Sequence, residues 1–143
     1  MIGFSTVPSV LGLAGFEKIG QSPLGLVKSI EDGLPLQALQ RVSDLIAPTD
    51  AQFKYLIVPK ATYERRKTQR RLSKMEGALV SRLARVWGFA VEVWGSEEQA
   101  RAFFFRPHAM LEDQRPIDAV LRSEITTELV IGILGRLKYG SAA

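Results

Sequence analysis

Three features of the sequence predict an all-α fold. Apolar residues recur at three- and four-residue spacing in each long segment. No segment alternates apolar and polar residues as a half-buried strand does. Ser, Pro and Gly stand where helices should begin and end. With 143 residues, 46% of them hydrophobic, the chain has enough apolar mass for one core, or for two small helical cores sharing a long helix.

The opening MIGFSTVPSVLGLAGF is apolar but lacks a positive flank and is broken by Pro8, Gly12 and Gly15. It reads as an irregular arm rather than an export signal or a membrane span, and the cytoplasm is the expected location. Its otherwise unclaimed Phe4, Val7, Val10, Leu11 and Phe16 are expected to meet a second copy of the chain. Ser22 then caps a short helix with Pro23 at its first position and Leu26, Val27 and Ile30 on one side, closed by Gly33. Pro35 opens a second helix whose Leu36, Leu39, Val42, Leu45 and Ile46 run until Pro48. Thr49 or Asp50 is expected to cap a third, short helix bearing Phe53 and Leu56, and after the turn Ile57-Val58-Pro59 a fourth begins at Lys60. Two short helices joined by a tight turn, the second one basic, outline a helix-turn-helix.

Ser73 caps the longest helix, with Met75, Leu79, Leu83, Val86, Trp87, Ala90, Val91 and Trp94 as its apolar stripe and Gly95 at its end. Ser96, followed by Glu97, Glu98 and Gln99, restarts a helix that turns Ala100, Phe103 and Phe104 inward until Pro107 breaks it. Pro116 opens a short helix, PIDAVL. Ser123 caps the last one, with Ile125, Leu129, Ile133 and Leu137 at spacing four and Val130, Ile131 and Leu134 beside them. A helix apolar around more than half its circumference needs cover on several sides, and a second chain is a natural source of it. Three consecutive phenylalanines, Phe103 to Phe105, point about 100° apart, so at least one is expected to meet a partner. The organisation expected is an arm with a first helix (1–33), a helix-turn-helix region with its linking helix (34–92) and a small partner-binding domain (93–143).

Charge singles out one segment. KATYERRKTQRRLSK, residues 60–74, holds seven basic residues against Glu64 alone, a local +6 that leaves the rest of the chain at −2 within a total of +4. A solvated helix face normally mixes signs to gain i,i+4 pairing, so this run points to an anionic partner, and with the helix order to DNA. Lys60, Tyr63 and Lys67, with Thr62 and Arg66, are the candidates for base contacts, and Arg65, Arg70 and Arg71 for phosphates.

Other chemistry finds little support. The chain has no cysteine and one histidine, His108, which has no second ligand at metal spacing and reads as a loop histidine with its hydrogen bonds satisfied. The adjacent pairs Glu97-Glu98 and Glu112-Asp113 point apart and lack a nucleophile or a phosphate-cradling loop. Neither catalysis nor a metal or cofactor is expected.

The residues also carry a resemblance. VWGSEEQARAFFFRPHAMLEDQRPIDAVL, followed by a terminal helix ending GRLKYGSAA, resembles the toxin-binding domain of the Xre/MbcA/ParS antitoxins. PKATYERRKTQRRLSKMEGALVSRLARVW is similar to their basic and linking helices, so the likeness runs from about residue 34 to the C-terminus. It implies an Xre-like helix-turn-helix joined to a helical toxin-binding domain, in a type II antitoxin that blocks the active site of a RES-domain, NAD-consuming toxin and binds operator DNA to repress its own operon. The implied assembly is a homodimer within a larger toxin–antitoxin complex, without membrane. Trp94 and Gly95 match the family's aromatic-glycine turn, Arg115 and Pro116 its small helix opening, and residues 134–140 its terminal signature. Arg115, Leu134, Arg136, Lys138, Tyr139 and Gly140 are the toxin contacts so implied, with the cationic tips in place of substrate phosphates. Two departures stand out: MLEDQ (110–114) replaces a glycine-rich turn, and Thr62 sits where an apolar inward residue is usual. A stand-alone regulator, and an antitoxin whose helix-turn-helix no longer binds DNA, remain open as alternatives.

Overall fold

The computed structural model describes residues 6–13 and 22–140, and every element among them is helical. In chain order these are α1 (Val7–Leu11), α2 (Pro23–Asp32), α3 (Leu36–Ile46), α4 (Lys54–Ile57), α5 (Lys60–Gln69), α6 (Lys74–Trp94), α7 (Glu97–Phe105), a 3₁₀ turn (Ala109–Leu111), α8 (Pro116–Arg122) and α9 (Glu124–Tyr139). The all-α expectation holds.

The helix starts follow their caps. Ser22, Ser96 and Ser123 each accept the backbone N–H three residues on, from Gly25, Gln99 and Thr126. Ser73 and Glu76 form a reciprocal capping box at the head of α6, and Gly95, in the left-handed region at φ 76°, closes that helix. Asp50 does not cap a helix as expected. It accepts the Gln52 N–H in a local turn, and α4 follows as a single four-residue turn with Phe53 buried and Leu56 exposed.

The central helix is α6, which packs against α1, α2, α3 and α4 and also against α7, α8 and α9. Val80, Leu83, Ala84, Val86, Trp87, Phe89 and Ala90 of α6 are buried, forming one continuous core with residues from α1 through α9. The ends of the expected α6 stripe leave that core: Met75 and Trp94 are exposed. So is Val27 of α2. The two halves are further clamped by Arg101, whose Nε donates to the Leu45 carbonyl at the end of α3 (2.8 Å), and by an edge-on contact between Phe53 and Phe105 (6.2 Å). Phe103 and Phe104 are buried, so all three phenylalanines find cover within this chain and none requires a partner.

The N-terminal arm is likewise claimed internally. Val7 and Leu11 are buried in the chain's own core, α1 packs on α3 and α6, and Arg41 Nε donates to the Val10 carbonyl (2.9 Å). The close approach needs Gly88, because a methyl there would collide with the Thr6 hydroxyl. The dimer-arm expectation is corrected for Val7, Val10 and Leu11, whereas Phe4 and Phe16 lie outside the described residues.

The largest correction concerns α9. Its expected inward stripe faces outward: Ile125, Leu129 and Leu137 are 79%, 52% and 51% exposed, and only Ile133 of that set is buried. Strict four-residue spacing drifts by about 40° per step on a 3.6-residue helix, so Ile125 and Leu137 lie roughly 120° apart and cannot share a core. Thr127, Val130, Ile131 and Leu134 keep to one side and form the buried face. Thr127 is tolerated there because its hydroxyl donates to the Ser123 carbonyl (2.7 Å).

Candidate DNA- and toxin-binding surfaces

The basic helix α5 is the outlying element, polar on almost every side and held by few anchors. Tyr63 is its single buried residue, set edge-on to Tyr55 (5.7 Å) with the Lys54 and Lys67 amines 4.7 and 5.4 Å from its ring centre. One turn on, Arg66 Nε and Nη2 donate to the two Glu76 oxygens at 2.8 and 3.3 Å. Glu76 also accepts the Ser73 N–H (2.7 Å), so one carboxylate ties α5 to the head of α6. Burial pushes the Glu76 pKa up, but the hydrogen bonds from Arg66 and Ser73 and the Arg66 charge outweigh it and hold the pKa below its ordinary value.

These anchors place the candidate DNA contacts differently on the helix. Tyr63 is core, and it supplies the inward residue expected one position earlier, at half-buried Thr62. Arg66 is half-buried and paired with Glu76. Lys60, Arg65 and Lys67 remain exposed on α5. Arg70 and Arg71 lie beyond the helix. Arg70 adopts the left-handed conformation (φ 62°), and the segment then clips onto the α2–α3 connection: Leu36 N–H donates to the Arg70 carbonyl (3.1 Å) and Leu72 N–H to Leu34 (2.8 Å). Arg71 Nη1 donates to the Gly33 carbonyl (2.9 Å), while Arg70 stays exposed beside α5. Between α4 and α5 stand only Val58 and Pro59, the tight turn the sequence predicted.

At the other end, α9 runs alongside α6 in the same sense, pinned by Arg82–Glu124 (3.2 Å), Arg85–Glu128 (3.3 Å) and Glu92–Lys138 (2.6 Å) in order along both helices. The Lys138 pKa is raised, chiefly by its hydrogen bond with Glu92, against a smaller opposing effect of desolvation. Arg136, Tyr139 and Gly140 are exposed, and Arg136 Nη1 lies 3.8 Å from the Met110 sulfur. Arg115 forms a two-point ion pair with Asp118 (2.8 and 2.9 Å) over the Phe105 ring, at the N-cap of α8. Leu134, expected as a contact, is fully buried beneath this surface.

Beside the end of α9 lies a cleft of about 360 Å³ walled by Trp94, Phe103, Pro107 and Leu137, with Gln99, Arg106 and His108 at its polar positions. His108 Nδ1 accepts the Met110 N–H (3.1 Å), the satisfied arrangement expected of it. In the MLEDQ turn Glu112 and Asp113 both adopt left-handed backbone (φ 53° and 64°), a region glycine enters most freely, held by N–H bonds from Leu111 and Asp113 to the His108 carbonyl. Among the described residues no three His, Cys, Asp or Glu side chains converge, and no helix is long and apolar enough to cross a membrane.

Two family models match the chain. The antitoxin Xre-like helix-turn-helix domain matches residues 25–85, and the antitoxin Xre/MbcA/ParS C-terminal toxin-binding domain matches residues 89–140. The chain belongs to the Xre/MbcA/ParS antitoxin family. The two matches leave only residues 86–88 between them, at the middle of α6 where the antitoxin's arm sits on Gly88. No curated protein matches the antitoxin. Its helix-turn-helix domain holds the basic surface, and its toxin-binding domain holds the exposed face of α9 and the cleft beside it. Sequence reasoning missed that Ile125 and Leu129 face outward. The available signal was the drift of spacing-four positions around a helix.

Proposed function

We propose that this antitoxin neutralises a RES-domain, NAD-consuming toxin by covering its active site, and that as a homodimer it represses its own operon by binding operator DNA. DNA work falls to residues 34–92 and toxin work to 93–143. The observation that carries the toxin half is the set of uncovered apolar side chains on α9, Ile125 with Leu129 near its start and Leu137 near its end, the last beside Arg136, Lys138 and Tyr139, within a toxin-binding domain. Apolar side chains exposed on that scale supply the buried centre of an interface, and cationic tips beside them suit a pocket built for substrate phosphates. Lys138 reaches such a site by exchanging Glu92 for the toxin, a change of partner that costs little at the surface.

The DNA half rests on the tight α4–α5 turn and on exposed Lys60, Arg65, Lys67 and Arg70. A dimer suits it because one short helix reads few base pairs and two copies read a palindrome. The test is growth of cells expressing the cognate toxin. Wild-type antitoxin should restore growth, and Leu129→Asp, folded and equally abundant, should not. Full rescue by Leu129→Asp together with Ile125→Asp would remove α9 from the toxin contact.

A further inference from the structure

Glu64 is the one acid among the basic residues 60–74, and the structure leaves it half exposed on α5, paired among the described residues with the equally exposed Lys67 (3.2 Å). Its position follows from the anchors. With Tyr63 inward and Thr62 and Arg66 half-buried, successive steps of about 100° put Ala61, Arg65 and Thr68 opposite the core, with Glu64 and then Lys60 beside them around the helix, on the side away from Thr62 and Arg66. These residues form the leading face of the second helix of the helix-turn-helix, the face that enters a major groove.

A carboxylate on that face is repelled by every phosphate its neighbours attract. Its surface pair with Lys67 contributes little, so helix stability does not account for it. Inside the groove the only donors facing it are base amines, and a carboxylate pairs with the cytosine N4 amine. Arg65, the next residue, carries the planar fork that matches guanine O6 and N7, and its Nη2 lies 3.5 Å from Thr62 Oγ1 with no carboxylate partner among the described residues. Ala61 and Thr68 offer methyl groups of the kind that meet a thymine methyl.

We infer that Ala61, Glu64, Arg65 and Thr68 are the base-reading face of this antitoxin, with Glu64 accepting a hydrogen bond from a cytosine amine and Arg65 donating to a guanine in each half-site. The inference rests on the proposed DNA binding and replaces Tyr63 and Arg66 as readers. On docking, Lys67 leaves Glu64 for a phosphate. Glu64 thus weakens attraction to DNA in general and adds discrimination at one base.

The experiment is selection of duplexes from a random-sequence pool by the full-length protein, comparing wild type, Glu64→Ala and Glu64→Gln. Thermal melts alongside establish that each variant is folded. Wild type should enrich a sequence with a cytosine at one position per half-site. Glu64→Ala should lose about tenfold or more of that preference while binding random DNA at least as tightly, and Glu64→Gln should shift it toward adenine. A folded Glu64→Ala that enriches the wild-type sequence with undiminished preference overturns the role of Glu64 and leaves DNA binding intact. A wild type that enriches no sequence overturns the DNA reading itself, and this inference with it.

Discussion

Removing the Glu76 carboxylate should cost more than any other surface substitution near the basic helix. Glu76→Ala deletes the returning half of the α6 capping box, a charge favourable to the helix dipole and both hydrogen bonds from Arg66. The two side chains are 20% and 14% exposed, so the pair is only partly screened. A charge-assisted hydrogen bond contributes about 1.5–3 kcal/mol and the cap with its dipole term about 1 kcal/mol, and after discounting for solvent the loss should be about 2–3 kcal/mol. With an unfolding entropy of about 2.1 cal/mol/K per residue, that lowers Tm by roughly 8 °C in a chain of this size. Circular dichroism melts of wild type, Glu76→Ala, Arg66→Ala and the double variant measure the pair directly. The double variant should be more stable than the summed single losses imply, by about 1–2 kcal/mol. Additive losses within about 0.5 kcal/mol would refute the staple between α5 and α6. Acidity gives an independent sign. The folded-state pKa of Glu76 lies below its ordinary value of 4.5, so its contribution is present above that value and is lost as pH falls through the folded-state pKa. The gap between wild type and Glu76→Ala should therefore narrow in acid.

Other consequences are narrower. Glu112→Gly should raise stability by about 0.5–1 kcal/mol, seen in denaturant melts, because glycine adopts the left-handed backbone without the penalty a side chain incurs there; destabilisation would contradict that strain. Gly88→Leu should expel α1, expose the Val7 and Leu11 sites and speed proteolysis within residues 6–13, and an unchanged cleavage rate would mean that the arm does not depend on that contact. Arg65→Glu should abolish operator binding in gel shifts while neutralisation survives, and Arg136→Glu should do the reverse; loss of both activities by either variant would argue against separate surfaces.

Much of this fold was legible because its boundaries are local chemistry. Ser73 with Glu76, Ser96, Ser123, Gly95, Pro107 and Pro116 mark starts and stops by their own hydrogen bonding or backbone limits, and these survive in the folded chain. Direction around a helix was less legible. Ile125, Leu129 and Leu137 read as core by spacing, yet the true inner face of α9 includes Thr127, which no hydrophobic pattern selects. On α5 the reverse happened. Tyr63 and Arg66 look like nucleic-acid contacts by residue type, and only Tyr55, Lys54 and Glu76, brought from elsewhere in the chain, reveal them as anchors. The arm failed similarly, because its cover comes from Arg41 and Gly88, far along the sequence. The resemblance to an antitoxin was legible in the order of parts, and both domain matches agree with it.

The central claim is that the exposed end of α9 shuts a toxin's nucleotide site. Its most direct measurement is NAD consumption by the stoichiometric partner purified with this antitoxin from its native cells, stripped from it, and then titrated with wild-type and Leu129→Asp protein. Our account predicts that the freed partner consumes NAD, that wild type stops it near a fixed molar ratio, and that Leu129→Asp does not. A partner with no NAD turnover, or one inhibited equally by both proteins, would contradict it.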